Sequence, residues 1–177
     1  NPLSTRFLHA SPCRVVMEED WVTLEVGDKA PDFDALLTDG SQISLNDILS
    51  DDKRVVLYFY PKDNTPGCTT QACDFRDNYS SLQSAGYRVL GVSKDSSKSH
   101  LNFTEKYELN FDLIVDQDIE LHQKYGVWRE KNNYGKTYMG VSRSTFVIDT
   151  DGSLIWVGYN IRAKGHVEKL IRELSIE

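Results

Sequence analysis

Apolar and polar positions along this chain fall into two alternating patterns, one typical of strands and one of helices. Short runs rich in valine, isoleucine and aromatic residues, bounded by turn-forming residues, predict buried strands at 33–37, 42–45, 53–60, 87–93, 111–115, 144–149 and 154–159. Stretches between them with capping signals and helical spacing predict helices at 46–50, 66–85, 97–107, 119–125 and 165–174. The polar segment 128–140 lacks either periodicity, so we expect a loop there.

The order of these elements predicts the fold class. Strands and helices alternate through the first two thirds of the chain, and a strand hairpin and a helix follow. This order favours an α/β fold with a central mixed sheet, helices on both faces and an N-terminal hairpin. No repeat or linker suggests a second domain. We therefore expect a flexible N-terminal extension at 1–23 and one domain at 24–177.

Composition narrows the classes of partner. The 177 residues include 20 basic and 27 acidic residues, for a formal charge of −7, and contain no Lys/Arg block. Nucleic acid and anionic membranes are therefore not expected partners. The apolar runs are strand-sized, far below the roughly 20 residues of a membrane span.

Cysteine usage points to a reducing compartment. An odd number of cysteines in a chain of this length, Cys13, Cys68 and Cys73, does not resemble a secreted disulfide framework. We expect a cytoplasmic protein. An organelle is the alternative if residues 1–16, which contain two Arg, two Ser and no acidic residue, are the remnant of a targeting segment.

The segment between the strand at 53–60 and the helix at 66–85 carries the clearest chemistry. Thr65 is a candidate N-cap and Pro66 suits the first helical position, so Cys68 would lie in the first helical turn. Unpaired backbone N–H groups and the helix dipole favour an anion there. The anionic form of cysteine is the thiolate, which is the nucleophile.

The second cysteine of the helix is five positions further on. On an α-helix, Cys68 and Cys73 would be separated by about 140° of rotation and a Cα–Cα distance of roughly 8–9 Å. A disulfide requires Cα atoms within about 7 Å. If the two thiols react together, the first helical turns must therefore unwind, and the chain would alternate between a helical reduced form and a locally melted oxidised form.

This environment suits attack on a hydroperoxide. Attack breaks the O–O bond and leaves sulfenic acid at Cys68, which a second thiol at Cys73 converts to a disulfide. Thr65 would orient the thiolate and one peroxide oxygen through its hydroxyl, while Pro61 and Pro66 would stiffen the loop. The reaction also needs a nearby cation to stabilise the thiolate and the charge on the leaving oxygen.

Other interpretations stay open at this point. Cys73 also fits a small buried apolar residue, and the same thiolate would serve a peroxide sensor or a Cys–His hydrolase. A thiol–disulfide oxidoreductase is disfavoured because a C-x-x-C motif is absent. A metal site is disfavoured because C-x4-C supplies only two ligands and no matching spacing links the histidines, His9, His100, His122 and His166.

The pattern Pro61-x-x-x-Thr65-x-x-Cys68 resembles the signature of peroxiredoxins, thiol peroxidases with a thioredoxin-like fold. Cys73, five residues on, resembles the peroxiredoxin Q type, also called bacterioferritin comigratory protein. Further similarity lies at 26–33, 58–61, 72–77 and 138–146, and the resemblance covers about residues 24–175.

The resemblance implies a role for each matching residue. Cys68 is expected to be the peroxidatic cysteine and Cys73 the resolving one, with Thr65 and Pro61 completing the motif. Arg143 falls where the family places its active-site arginine. The resemblance further implies a thioredoxin-dependent, atypical two-cysteine peroxidase in antioxidant defence. It would be recycled by thioredoxin or a similar dithiol and would need no metal, haem or flavin; such proteins are often monomers.

Overall fold

The computed structural model describes residues 22–176. Its strands are β1 Asp34–Leu37, β2 Gln42–Ser44, β3 Arg54–Phe59, β4 Tyr87–Ser93, β5 Asp112–Val115, β6 Trp128–Asn133, β7 Lys136–Val141, β8 Ser144–Ile148 and β9 Leu154–Gly158. Its helices are α1 Leu45–Ser50, α2 Pro66–Ser84, α3 Ser97–Tyr107, α4 Glu120–Lys124 and α5 His166–Glu173. None of the helices within this range is long and apolar enough to cross a membrane.

Seven strands form one mixed sheet in the order β2-β1-β5-β4-β3-β8-β9. Strands β3, β4 and β5 are parallel, whereas β1 and β8 run antiparallel to their neighbours β5 and β3. The expected α/β fold with a mixed sheet is therefore confirmed. The predicted hairpins at Asp39–Gly40 and around Gly152 are also present, as the β1–β2 and β8–β9 pairs.

Both faces of the sheet are covered, as the continuous apolar run of β3 requires. Val55, Leu57 and Phe59 face a core that includes residues of α1 and α4. Val56 and Tyr58 face a second core with residues of α2, α3 and α5. The helices thus lie on both faces, and the side chains of β3 residues 55–59 are fully buried.

Sheet register brings distant segments to the end of β3. Phe59, the last residue of β3, pairs with Ser144, the first residue of antiparallel β8. The residue before Ser144 is Arg143, and the residues after Phe59 lead through a short loop into α2. The register therefore places Arg143 beside the start of α2, although they are more than 70 residues apart in sequence.

The prediction of a loop at 128–140 is wrong. This segment forms the two-stranded ribbon β6–β7, paired from Trp128–Val141 to Asn133–Lys136. Tyr134 and Gly135 form its two-residue turn with φ of 53° and 77°, as the twist of a tight hairpin requires. Most of the ribbon's side chains are exposed or only partly buried, so its strands lack the alternating pattern that marks a half-buried strand.

Most of the expected N-terminal extension, including Cys13, lies outside the described residues. Its last two residues, Val22 and Thr23, are described. The backbone carbonyl of Val22 and the hydroxyl of Thr23 accept hydrogen bonds from the Arg129 guanidinium at 3.1 and 3.0 Å. The next residue, Leu24, donates its N–H to the Tyr159 hydroxyl. Residues 22–24 thus contact the folded domain.

Candidate active site

Helix α2 begins as its sequence predicts. Thr65 is the N-cap, with extended φ and ψ of −89° and 153°, and Pro66 occupies the first helical turn. The Thr65 side chain does not cap the helix, because its hydroxyl donates to the Lys62 carbonyl at 2.8 Å. The Thr65 side chain therefore leaves the N–H groups of the first turn uncapped, and their partial positive charge favours an anion at the helix start.

Arg143 supplies the cation that the chemistry requires. Its Nη2 donates to the Cys68 sulfur at 3.3 Å, and its Nη1 donates to Gln71 Oε1 at 2.6 Å. The Arg143 carbonyl accepts the Ile161 N–H at 2.8 Å, which fixes the backbone from which the guanidinium extends. Cys68 is only 2% exposed, whereas Arg143 is half-buried. The sulfur thus lies inside the protein beside a charged group that reaches the surface.

Gln71 is a site residue that the sequence analysis missed. It lies three residues after Cys68 on α2, on the same helical face, and is completely buried. Its oxygen orients the guanidinium, and its Nε2 has no hydrogen-bond partner within residues 22–176. The three-residue spacing from Cys68 was the available signal in the sequence. The acceptor role could not be predicted, because it depends on the position of Arg143, the residue before β8.

A glycine makes room for the guanidinium. A Cβ atom built on Gly67 would lie 3.2 Å from Arg143 Nη2 and 3.6 Å from the Cβ of Ala163. The first of these distances is tighter than an ordinary van der Waals contact. The absence of a side chain at position 67 therefore lets Arg143 reach the sulfur unhindered.

A second cation lies near Arg143. Lys131 extends from β6, and its stem runs beside Gly140 and the Tyr138 ring on the paired strand. Partial burial, reinforced by the positive charge of Arg143, lowers the pKa of Lys131. The ribbon missed in the sequence analysis therefore contributes charge to the surroundings of the site.

A buried tyrosine near the site, Tyr58, has an unpaired hydroxyl among the described residues. Tyr58 is fully buried and stacks on Phe75 of α2, with ring centroids 4.6 Å apart. Its hydroxyl has no hydrogen-bond partner among the described residues. Burial, with a further contribution from Cys68, raises the pKa of Tyr58 well above its ordinary value. The phenol is therefore neutral near neutral pH.

Cys73 lies on the same uninterrupted helix as Cys68 and is partly exposed. Both thiols are free. Helix geometry keeps their Cα atoms roughly 8–9 Å apart, beyond the reach of a disulfide. The structure is thus the helical form expected of the reduced chain. Pro61, the remaining residue of the motif, is half-buried in the loop between β3 and α2.

Three potential metal ligands meet in a neighbouring cluster that the spacing of the histidines did not reveal. Ligand atoms of Asp63, Asp95 and His100 lie within 4.8 Å of one another. Each of them already has a hydrogen-bond partner in the protein, including a 2.7 Å contact between Asp63 Oδ2 and His100 Nδ1. Hydrogen bonds alone therefore account for this arrangement.

Comparison with known proteins places this chain in a family. Residues 26–157 match the model of the AhpC/TSA family. The chain is 45% identical over 154 residues to peroxiredoxin Bcp of Bacillus subtilis, covering 87% of this chain and 97% of that protein. It is 43% identical over 152 residues to peroxiredoxin Bcp of Escherichia coli, covering 86% and 96%.

Solved structures of related proteins also resemble this chain. The bacterioferritin comigratory protein of Xanthomonas campestris superposes with a TM-score of 0.77 at 36% identity, covering 88% of this chain and 98% of that one. A Cys→Ser variant of Xylella fastidiosa PrxQ gives a TM-score of 0.81 at 32% identity, covering 87% and 97%. The fold is therefore thioredoxin-like, as the resemblance implied. This chain belongs to the AhpC/TSA family and is a peroxiredoxin of the Bcp/PrxQ type.

Proposed function

We propose that this peroxiredoxin reduces hydrogen peroxide and organic hydroperoxides through Cys68. The observation that carries the proposal is the 3.3 Å contact between Arg143 Nη2 and a sulfur in the first turn of α2. A guanidinium and a helix N-terminus both stabilise negative charge at that position. The Xanthomonas campestris relative, which is described for its alkyl peroxide reduction activity, supports the substrate class.

The first step oxidises the thiolate. Cys68 attacks the distal oxygen of R–O–O–H, an S–O bond forms and the O–O bond breaks, which leaves Cys68–SOH and R–O⁻. The alkoxide takes a proton from water to give the alcohol. Arg143 stabilises the charge that moves onto the leaving oxygen. The Thr65 hydroxyl already donates to Lys62, so its lone pairs remain to accept a hydrogen bond from the peroxide.

The second step uses the neighbouring thiol. Cys73 attacks the sulfur of Cys68–SOH, water leaves, and a disulfide within one chain results. The helix between the two residues must open for this step. Thioredoxin or a similar dithiol then reduces the disulfide by exchange and becomes oxidised itself. Both thiols lie on one chain, so a monomer is sufficient.

Three single-cysteine variants test the proposal. Cys68→Ser is expected to abolish peroxide consumption, because no nucleophile remains. Cys73→Ser should react once with peroxide, turn over poorly with thioredoxin and progress more readily to sulfinic acid. Cys13→Ser is the control that removes a thiol outside this mechanism, and it should retain activity. Full activity in Cys68→Ser would show that another group reacts with peroxide.

Mass analysis identifies the catalytic pair directly. After one equivalent of peroxide, the wild-type chain should lose two hydrogen atoms, and peptide mapping should place the new disulfide between Cys68 and Cys73. Thioredoxin-coupled turnover then separates an enzyme from a sensor. A sensor would form the same link, bind a partner only in that state and show negligible turnover.

A further inference from the structure

A buried polar network holds the loop that joins β3 to α2. Within residues 61–65 only Asp63 is buried, with 4% of its surface exposed. Its Oδ1 accepts a hydrogen bond from the Tyr60 hydroxyl at 2.6 Å. Its Oδ2 accepts from the Ser99 hydroxyl at 2.8 Å and lies 2.7 Å from His100 Nδ1. Both carboxyl oxygens are therefore committed to contacts within the protein.

His100 connects this loop to the sheet. The ring is completely buried, and its Nε2 lies 2.8 Å from the carbonyl oxygen of Ile114 on β5. A carbonyl only accepts, so Nε2 must donate, and a neutral imidazole then has no proton left for Asp63. The contact between Nδ1 and Oδ2 therefore holds one further proton, on the ring or on the carboxyl group. A proton-bridged chain thus runs from β5 through His100 to Asp63.

The main chain of Asp63 is anchored as well. Its N–H donates to Asp95 Oδ2 at 2.8 Å, and the same oxygen accepts from the Ser93 hydroxyl at 2.7 Å. Ser93 ends β4 and Asp95 follows it, so none of these anchors belongs to α2. Immediately afterwards, Asn64 adopts a left-handed φ of 62°. The hydrogen bonds of Asp63 thus tie the loop to residues after β4 and on α3 just before the helix begins.

We propose that His100 is a positioning residue for the peroxide reaction and acts through Asp63. The pair fixes the Pro61–Thr65 loop, so that the Thr65 hydroxyl stays at the mouth of the site. It also sets the point beyond which α2 unwinds when Cys68 and Cys73 join. This inference rests on the proposed function, because Thr65 and Cys68 act together only if peroxide is the substrate.

Two substitutions of His100 separate anchoring from general stability. His100→Asn keeps an N–H donor near the position of Nδ1, so the link to Asp63 is retained and the link to Ile114 is lost. His100→Gln keeps a donor near the position of Nε2, so the link to Ile114 is retained and the link to Asp63 is lost. Each variant loses one buried hydrogen bond and the ring, and thermal unfolding establishes that both are folded.

The first measurement is the second-order rate constant for peroxide with each reduced variant. His100→Gln should lower it about tenfold or more, since displacement of a positioning group by about 1 Å costs up to about a hundredfold. His100→Asn should stay within about threefold of wild type. Equal rate constants in the two variants, whether both normal or both reduced, would overturn the positioning role.

The second measurement is amide hydrogen exchange in the reduced chains, which does not depend on activity. Asp63, Asn64 and Thr65 should exchange faster in His100→Gln and at the wild-type rate in His100→Asn. Equal exchange in both variants would show that His100 does not anchor the loop. A wild-type chain that fails to consume peroxide would instead refute the proposed function, and the exchange data would still decide whether the anchor exists.

Discussion

At the scale of single residues, the two hydrogen bonds of Arg143 account for most of the geometry around the sulfur. One guanidinium nitrogen contacts Cys68 and the other contacts Gln71, so the planar group is held from two sides. Arg143→Lys keeps the charge but loses this fork. A hydrogen bond to a charged group contributes about 1.5–3 kcal/mol, so we expect the peroxide rate constant to fall about 10- to 100-fold.

Arg88 provides the matched control for this prediction. It lies near the start of β4, at the opposite end of the sheet from Cys68, and pairs with Asp112 at 2.8 Å. Arg88→Lys makes the same chemical change without touching the site. The peroxide rate constant of each variant is measured by rapid mixing. A normal rate in Arg143→Lys would mean that charge alone, without the geometry of the fork, is sufficient.

Several of the site residues could be predicted from the sequence, but most of their hydrogen-bond partners could not. The position of Cys68 in the first turn was predictable because Thr65 and Pro66 are local signals. The direction of the Thr65 hydroxyl, towards Lys62 rather than the helix, was not, because it depends on the path of the loop. The partnership of Asp63 and His100 joins residues 37 positions apart, and no local pattern encodes it.

At the scale of elements, the predictions succeeded where an element packs against the core of the domain. The bounds of β4 and α3 are those expected, since apolar periodicity and turn residues mark their ends. The β6–β7 ribbon was missed because it pairs only with itself outside the main sheet and has little buried surface. Its only strong signal was the Tyr134–Gly135 turn, and a single glycine does not distinguish a hairpin from a loop.

Helix α5 gives the fold a defined sensitivity to acid. His166, its first residue, is buried, and its Nε2 lies 2.9 Å from the Thr145 hydroxyl on β8. Burial, followed by the charges of Lys169 and Arg143, lowers the pKa of His166 to about 4. In the unfolded chain the ordinary value is about 6.5. Between these values the unfolded state binds the extra proton, so stability falls as the pH drops from about 6.5 to about 4.

His166→Gln tests this link between α5 and pH. Glutamine keeps an N–H donor for Thr145 but does not titrate. The free energy of unfolding of the wild type should lose about 3 kcal/mol more than that of the variant between pH 7 and pH 4. Denaturant unfolding at several pH values measures the difference. Parallel pH profiles for the two proteins would show that His166 does not titrate on unfolding.

At the scale of the whole molecule, the site opposes the overall charge. The chain carries a formal charge of −7, yet Arg143 contacts the sulfur and Lys131 lies near Arg143. The overall composition therefore does not reveal the positive charge around the sulfur. The register of β8 against β3 and the placement of the β6–β7 ribbon bring these charges together.

The proposed Cys68–Cys73 disulfide would disturb the packing of α2 against the sheet. In the structure Cys68 and Ala72 belong to the core between α2 and the sheet, together with Phe75. A Cys68–Cys73 disulfide requires the helix around these residues to open, because the intact helix holds the two Cα atoms roughly 8–9 Å apart. The loop that the disulfide closes is short, so the link itself restores only about 2 kcal/mol.

The oxidised chain should therefore be less helical and less stable than the reduced chain. We expect far-UV circular dichroism to show loss of about two turns of the 19-residue α2, with faster amide exchange over residues 66–73 and a lower Tm. Cys73→Ser treated with one equivalent of peroxide is the control, because it forms sulfenic acid at Cys68 without a link and should keep its helix. The amides before Asn64 should remain protected in both forms, since Asp63 is held from β4, α3 and β5. A mapped disulfide accompanied by an unchanged helical signal would mean that the chain closes the bond by moving a different segment, and the requirement for unwinding would be refuted.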